Sequence, residues 1–287
     1  MAKAIDKQIV SLKDERLDID RIDHSRLSFF IGEHAIQFGV KDTQTNRLML
    51  FEEYEIDPSK DLISFLDQLH KEHILIAAGF WQEIQVFFRN NKFALIPGPL
   101  FDKTKLYEYV RLNDNTEPSR DNYHFKQLDT YGLSFAFAYQ DKIKSWFKEN
   151  YPKVNLRFSH QGVAFLHHVK EQLKPNAQAS VYLDLKGQQA LIAGMNFEKL
   201  ALYNQFVFKN ADHLAKITAL SCQQFSSDRS QTPLIITGEK ETVDNYLPVL
   251  KKYFKMIEMA KRPINLKVHP VFNELEPYEY SEILSNL

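Results

Sequence analysis

The chain has 287 residues and a formal net charge of −1, and 44% of its residues are hydrophobic while 25% are charged. This composition supports a substantial core and excludes an intrinsically disordered chain, and the balanced charge, without long runs of Lys and Arg, argues against nucleic acid as a partner. The single cysteine, Cys222, excludes an internal disulfide framework and a zinc site built on several thiolates.

Residues 1–25 are polar and charged, and we expect an irregular leader there. Residues 1–7 mix charges without an apolar segment, so we expect no signal peptide. No apolar run approaches the ~20 residues that cross a bilayer. The sequence therefore predicts a cytoplasmic protein without membrane insertion.

A β-meander is predicted next, because three short apolar segments are separated by tight turns. Its strands are expected at residues 27–31, 35–40 and 48–54. The rest of the first half is predicted to contain, in order, a helix at 58–71, strands at 84–88 and 93–96, a helix at 102–112, a loop at 113–122, strands at 125–128 and 133–137, a helix at 140–150, a strand at 154–158 and a helix at 161–173.

The second half repeats the opening pattern. Strands are predicted at residues 181–185, 190–195 and 200–206, followed by a helix at 210–225, a buried strand at 234–238 and a helix at 241–253. The tail after Pro263 is mixed, and a short final helix is expected there.

An internal repeat follows from an overlay of the two halves. When residues 35–40 are placed over 190–195, Gly39 coincides with Gly194, the apolar positions agree and the third strands follow in step. Coincidence is the alternative, because any two meanders share alternation and turns. Duplication predicts two lobes, at about residues 1–150 and 151–287, with a cleft between them.

The predicted pattern has three antiparallel strands, then a helix and further strand–helix units, and it occurs twice. This pattern resembles the ribonuclease H-like unit shared by actin, Hsp70 and the sugar kinases. A closer resemblance is carried by residues 52–55, 93–102, 181–184 and 234–238. Residues 93–102 are the most specific, because they resemble a strand followed by Val-Pro, two residues and Leu-Phe, with Ile96 in place of the valine.

From about Leu27 to Tyr253, the chain thus resembles a Bacteroidetes family of unknown function with a fold related to the actin-like ATPases. This resemblance implies an α/β fold with two ribonuclease H-like lobes and a central cleft. It implies nothing about activity.

Proteins of the actin-like ATPase fold bind nucleotide in that cleft, and each first hairpin turn resembles Asp-x-Gly. The aspartates organise the metal and the attacking water, and backbone N–H groups hold phosphate. In this chain, Phe30 stands at the acid position two residues before Gly32. In the second lobe Asp184 is present, but Gly187 lies one residue too far away.

A third loop also departs from the pattern, because the adenosine-side glycine pair is reduced to Gly238 and Glu239 would place negative charge beside a polyanion. The residues that could still contact a nucleotide are Gly32, Asp184, Lys186, Gly187 and Gly238. Asp184 is the candidate for a catalytic role. If a cofactor binds, the fold implies ATP with magnesium.

Other chemical candidates have plainer interpretations. Asp67, His70 and His73 could be metal ligands, but such residues on a charged helix face are usually solvated. The adjacent aromatic pairs at 80–81 and 87–88 are expected either in a sheet covered on both faces or in an exposed patch for a partner.

Together these features favour a non-catalytic binding or scaffold protein with a degenerate nucleotide site. A divergent ATPase or phosphotransferase is the alternative. We expect a protein partner or a second copy of the chain, since a net charge near zero weakens repulsion between molecules.

Overall fold

The structure is a computed structural model that describes residues 8–57, 59–113, 118–174, 178–226 and 228–287. The chain divides into two compact units. The first contains Met1–Val163, Asn265–Phe272 and Leu287, and the second contains Ala164–Ile264 and Asn273–Asn286.

The first unit begins with a strand and a meander. Its elements are β1 (Gln8–Lys13), β2 (Ser25–Ile31), β3 (Ala35–Asp42), β4 (Arg47–Glu55), α1 (Leu62–Glu72), α2 (Ile74–Ala77), β5 (Glu83–Phe88), β6 (Phe93–Pro97), α3 (Leu106–Val110), β7 (Asp121–Leu128), β8 (Leu133–Gln140), α4 (Asp141–Asn150) and β9 (Asn155–His160). α5 (Gln161–Glu171) follows, and its residues from Ala164 onward belong to the second unit.

The main sheet of the first unit has the strand order β1-β4-β3-β2-β5-β9. β1 to β4 are antiparallel, whereas β5 pairs parallel with β2 and β9 pairs parallel with β5. Its strands bury aromatic residues on the helix-covered side, where the Phe29 ring lies 5.2 Å from Phe147 of α4 and 5.7 Å from Phe38. Aromatic edge contacts of this kind add to the area buried.

An insertion between β5 and α4 forms a separate three-stranded sheet with the order β6-β8-β7. α3 packs on this sheet through Val110, which contacts a small core of Ile96, Ala136 and Ala138. The helix predicted at 102–112 is shorter than expected, because Asp102 caps a single 3-10 turn before α3 begins. Part of the predicted loop at 113–122 lies outside the described residues.

The second unit contains β10 (Ala179–Lys186), β11 (Gln189–Asn196), β12 (Lys199–Val207), α6 (Ala211–Gln223), β13 (Leu234–Gly238), α7 (Lys240–Tyr253), β14 (Ile257–Met259) and α8 (Ser281–Leu284). Its sheet has the order β12-β11-β10-β13-β14. β10 to β12 are antiparallel, and β13 and β14 continue in parallel.

The predicted repeat is confirmed in topology. Each unit has an antiparallel meander, a parallel strand beside the first meander strand, and a second parallel strand beyond it. The expected strand order and directions of residues 27–55 and 181–207 therefore agree.

The glycine overlay, however, differs by one residue from the structure. Gly39 lies opposite Ser28, whereas Gly194 lies opposite Val181. The two hairpin turns match when Gly32 is placed on Lys186 instead, because these residues close equivalent two-residue turns. In this alignment Phe30 takes the position of Asp184.

Two boundaries also differ from the sequence expectations. The leader is not irregular throughout, because β1 pairs with β4 and a 3-10 segment follows at Ile19–His24. The lobe boundary near residue 150 was placed before β9, yet β9 pairs with β5 in the first unit. The strand in the leader and the position of the boundary both depend on pairings between residues that are distant in sequence. The expected final helix is present as α8.

In the described part of the chain, no helix has both the length and the apolar character needed to cross a membrane.

Candidate functional site

The loops expected to hold a nucleotide in the second unit are brought together by the parallel pairing of β10 with β13. Asp184 lies opposite Thr237, and Leu185 lies opposite Gly238. Gly238 has a φ of 132°, and a Cβ atom built there would lie 2.1 Å from the Leu185 carbonyl oxygen. Glycine is therefore required at this position by backbone contact as well as by conformation.

The carboxylate of Glu239, immediately before α7, lies at the centre of this loop cluster. It accepts a hydrogen bond from the Gly187 backbone N–H at 3.1 Å and one from the Thr242 hydroxyl at 3.2 Å. The Lys186 ammonium lies 3.3 Å from its other oxygen. The same Gly187 N–H also approaches the Thr242 hydroxyl at 3.2 Å.

Two groups expected to attract phosphate therefore contact an anion supplied by the chain itself. Lys186 and Glu239 are half-buried, with 27% and 30% of their side chains exposed. Backbone N–H groups and a lysine are the donors that phosphate sites commonly use. The Gly187 N–H and the Lys186 ammonium are thus already engaged by the Glu239 carboxylate.

The other side of the β13–α7 loop contacts the C-terminal segment of the same unit. The Tyr278 carbonyl accepts a hydrogen bond from the Thr237 hydroxyl at 2.7 Å and one from the Gly238 N–H at 3.2 Å. The Thr237 hydroxyl also contacts the hydroxyl of Ser281, the first residue of α8. The sequence predicted a terminal helix but gave no signal that it would cover this loop.

Asp184 lies at the end of the same sheet and is 7% exposed. The pKa of the Tyr203 hydroxyl, on β12, is raised above its ordinary range. Burial is the main cause, and the negative charge of Asp184 adds to it. Two-metal or metal-plus-water chemistry needs further ligands near such an acid. Among the described residues, no group of three or more His, Cys, Asp or Glu side chains could hold a metal ion.

In the first unit, Gly32 lies in the β2–β3 turn, where its N–H donates to the Ala35 carbonyl at 3.0 Å. The acid position two residues earlier is filled by Phe30, which is fully buried. Phe30 stacks on Phe87 with ring centroids 4.4 Å apart, and the Arg89 guanidinium lies 5.3 Å from the Phe30 ring centre. Arg89 also donates to the Gln37 side chain.

The predicted site residues are thus divided between the two units. The structure brings Asp184, Lys186, Gly187 and Gly238 together in the second, whereas Gly32 belongs to the first.

The metal candidates Asp67, on α1, and His73, which directly follows α1, are engaged in other contacts. Asp67 accepts a hydrogen bond from the Trp146 indole N–H at 2.7 Å. His73 contacts Glu52 through Nε2 at 3.1 Å, and its Nδ1 accepts from the Ile76 N–H at 3.3 Å. These contacts link α1 to α4 and the residue after α1 to β4.

The aromatic segment at 80–88 is mostly buried. Trp81, Phe87 and Phe88 are each at most 5% exposed, and Phe80 alone of these four is exposed, at 51%. An exposed aromatic patch is therefore not formed by these residues. Cys222 is buried, and burial raises the pKa of its thiol, as expected of an inert core cysteine.

Comparisons with known proteins agree with this architecture. Residues 14–257 match the model of a family described as "Protein of unknown function (DUF3822)". A Bacteroides thetaiotaomicron protein described as having an actin-like ATPase fold and unknown function is similar, with a TM-score of 0.77 and 15% identity over 94% of this chain and 98% of that chain.

The PilM–PilN type IV pilus biogenesis complex is also similar, with a TM-score of 0.64 and 12% identity over 91% of this chain and 96% of that chain. No curated protein matches the sequence. At these identities the likeness shows the fold, which is the two-lobed actin-like ATPase fold expected from the sequence.

Proposed function

The chain belongs to the protein family of unknown function DUF3822. From the geometry of its loops we propose that it is a binding or scaffold protein that does not hydrolyse nucleotide. The observation that carries this proposal is the position of Glu239. Its carboxylate accepts the Gly187 N–H at 3.1 Å and lies 3.3 Å from the Lys186 ammonium.

A polyphosphate would have to displace that carboxylate and then lie beside it. Both groups are negative at neutral pH, and like charges within a few ångströms repel each other. Lys186 would have to lose its ion pair with Glu239 to bind phosphate. Nucleotide binding would therefore begin by breaking the contacts of Gly187 and Lys186.

The first unit supports the same proposal. Phosphoryl transfer depends mainly on positioning and on stabilising charge, and acids that organise magnesium are central to it. At the acid position, Phe30 supplies an aromatic ring stacked on Phe87. No magnesium ligand can come from either ring.

The test is calorimetry of the full chain with ATP and magnesium, together with an assay of phosphate release. We expect no binding heat beyond dilution and no phosphate release above background. Saturable ATP binding with turnover would overturn the proposal.

The alternative function is a divergent ATPase or phosphotransferase, and the buried carboxylate of Asp184 is the observation that favours it. On that alternative, Asp184 alone would hold a hydrated magnesium ion. Turnover that disappears in Asp184→Asn but persists in Glu241→Gln, a change of an exposed acid on α7, would establish it.

We further propose that the function is exerted through a protein partner or a second copy of the chain. A chain of similar fold occurs in the PilM–PilN type IV pilus biogenesis complex. That likeness shows the fold alone, so the proposal for this chain rests on its own surface.

A further inference from the structure

β12 forms one edge of the sheet in the second unit, and its side chains are unusually exposed for a strand of this length. It has nine residues, and none of them is fully buried. Val207 is 57% exposed, and Phe197, in the turn before β12, is 61% exposed. A long edge strand that contains apolar residues is a ready template for pairing with another strand.

The repeated topology shows what covers the equivalent edge in the first unit. β4 is the counterpart of β12, and β1 pairs antiparallel with it, so that Leu12 lies opposite Phe51. Seven of the nine residues of β4 are buried. Among the described residues, β12 pairs with β11 alone.

The segment that precedes β10 is too short to supply an equivalent strand. In the first half, 24 residues precede β2, whereas only residues 172–178 connect α5 with β10. Seven extended residues span at most roughly 25 Å. A six-residue strand along β12 uses about 20 Å, and crossing back past β12 and β11 to β10 requires about 14 Å more. No strand among the described residues covers this edge, so it is open to a strand of another molecule.

The backbone of β12 is oriented for such pairing. The Phe208 N–H donates to the Gln188 carbonyl at 2.9 Å, which fixes the alternation of the antiparallel ladder. The N–H groups of Tyr203, Gln205 and Val207 consequently point away from β11. The Gln205 N–H meets the side chain of Asn204 at 2.8 Å, a local contact that a paired strand could replace.

We propose that β12 pairs antiparallel with β12 of a second copy, joining two five-stranded sheets into one. Two copies of β12 can pair without bringing like charges together, because the single charged residue of the strand is Lys199, at its start. Antiparallel pairing places Lys199 near Val207 of the second copy, far from the other Lys199. The overall charge of −1 adds little repulsion between copies.

The first test compares Val207→Pro with Val207→Thr by sedimentation equilibrium over a range of concentrations. Proline removes an N–H that points outward and leaves the ladder to β11 intact, whereas threonine keeps the N–H and the branched shape. We expect a dimer for the unmodified chain and for Val207→Thr, and a dissociation constant at least about tenfold higher for Val207→Pro. Circular dichroism checks that both variants are folded.

A second test uses charge at Asn204, which is exposed near the middle of β12. In an antiparallel dimer the two copies of this residue lie close together, so Asn204→Lys alone and Asn204→Glu alone should both dissociate. Mixing the two variants should restore a heterodimer. A monomeric unmodified chain at all soluble concentrations, or a dimer that none of these variants weakens, would overturn the proposal.

Discussion

Phe30 and Phe87 stack almost parallel on neighbouring strands, with ring centroids 4.4 Å apart and an angle of 8° between the rings. The equivalent pair in the second unit is Asp184 and Thr237, which also lie opposite each other on parallel strands. The duplicated fold thus carries an apolar pair in one unit and a polar pair in the other. In the first unit this position supports packing.

Phe30→Ala tests that structural role. Because the ring is fully buried, its removal should leave a cavity and lower the free energy of unfolding by about 3–5 kcal/mol. Phe80→Ala, which removes a ring that is 51% exposed, should change it by no more than about 0.5 kcal/mol. Urea unfolding measures both, and similar small effects for the two variants would contradict the role assigned to Phe30.

Gly238→Ala should destabilise the chain strongly. The residue has a φ of 132°, and the added Cβ would lie 2.1 Å from the Leu185 carbonyl oxygen. We expect a loss of more than about 2 kcal/mol in the free energy of unfolding. Gly79→Ala is the matched control, since a Cβ there meets no atom within 4 Å and φ is not positive. The prediction fails if thermal melting shows equal stability for the two variants.

Glu239→Gln tests whether the carboxylate replaces phosphate. The amide keeps an oxygen for the Gly187 N–H but removes the charge that pairs with Lys186. We expect weak binding of inorganic phosphate or ATP to appear in calorimetry. Glu241→Gln makes the same change in charge at an exposed position in the first turn of α7, and it should bind no more than the unmodified chain. Equal binding by the two variants would show that Glu239 does not occupy a phosphate position.

The stability of the chain should fall as the pH drops below about 6.5. His160 is fully buried, and burial lowers its pKa to about 3, although the hydrogen bond with the Asn90 backbone acts in the opposite direction. The neutral ring donates to the Asn90 carbonyl and accepts from the Gly162 N–H. The unfolded chain takes up a proton near pH 6.5 while the folded chain does not, so stability is complete above that pH and is lost toward pH 3.

His160→Gln should remove part of this dependence. Between about pH 7.5 and 5, the unmodified chain should lose about 2 kcal/mol more than the variant. His168, whose pKa burial lowers to about 4, acts in the same direction, so the variant should still lose some stability. Urea unfolding at several pH values provides the measurement. Parallel curves for both proteins would exclude a contribution from His160.

The sequence by itself determined the repeated architecture. Alternation of apolar residues is a local signal, and so are turn residues such as Gly32 and helix starts such as Asn210, which accepts a backbone N–H group at the start of α6. These signals placed both meanders and most helices. The resemblance to the actin-like ATPases, applied at the turn of Gly32, also identified Phe30 at an acid position.

Only the tertiary structure decided which groups meet. β1 was missed because its partner β4 lies about 40 residues away, and its own sequence shows no regular alternation of apolar and polar residues. The contact between Gly187 and Glu239 joins residues 52 positions apart, and the Tyr278 carbonyl reaches Thr237 across 41. Such contacts follow from how the strands and helices pack together, and composition and periodicity along the chain do not record that packing.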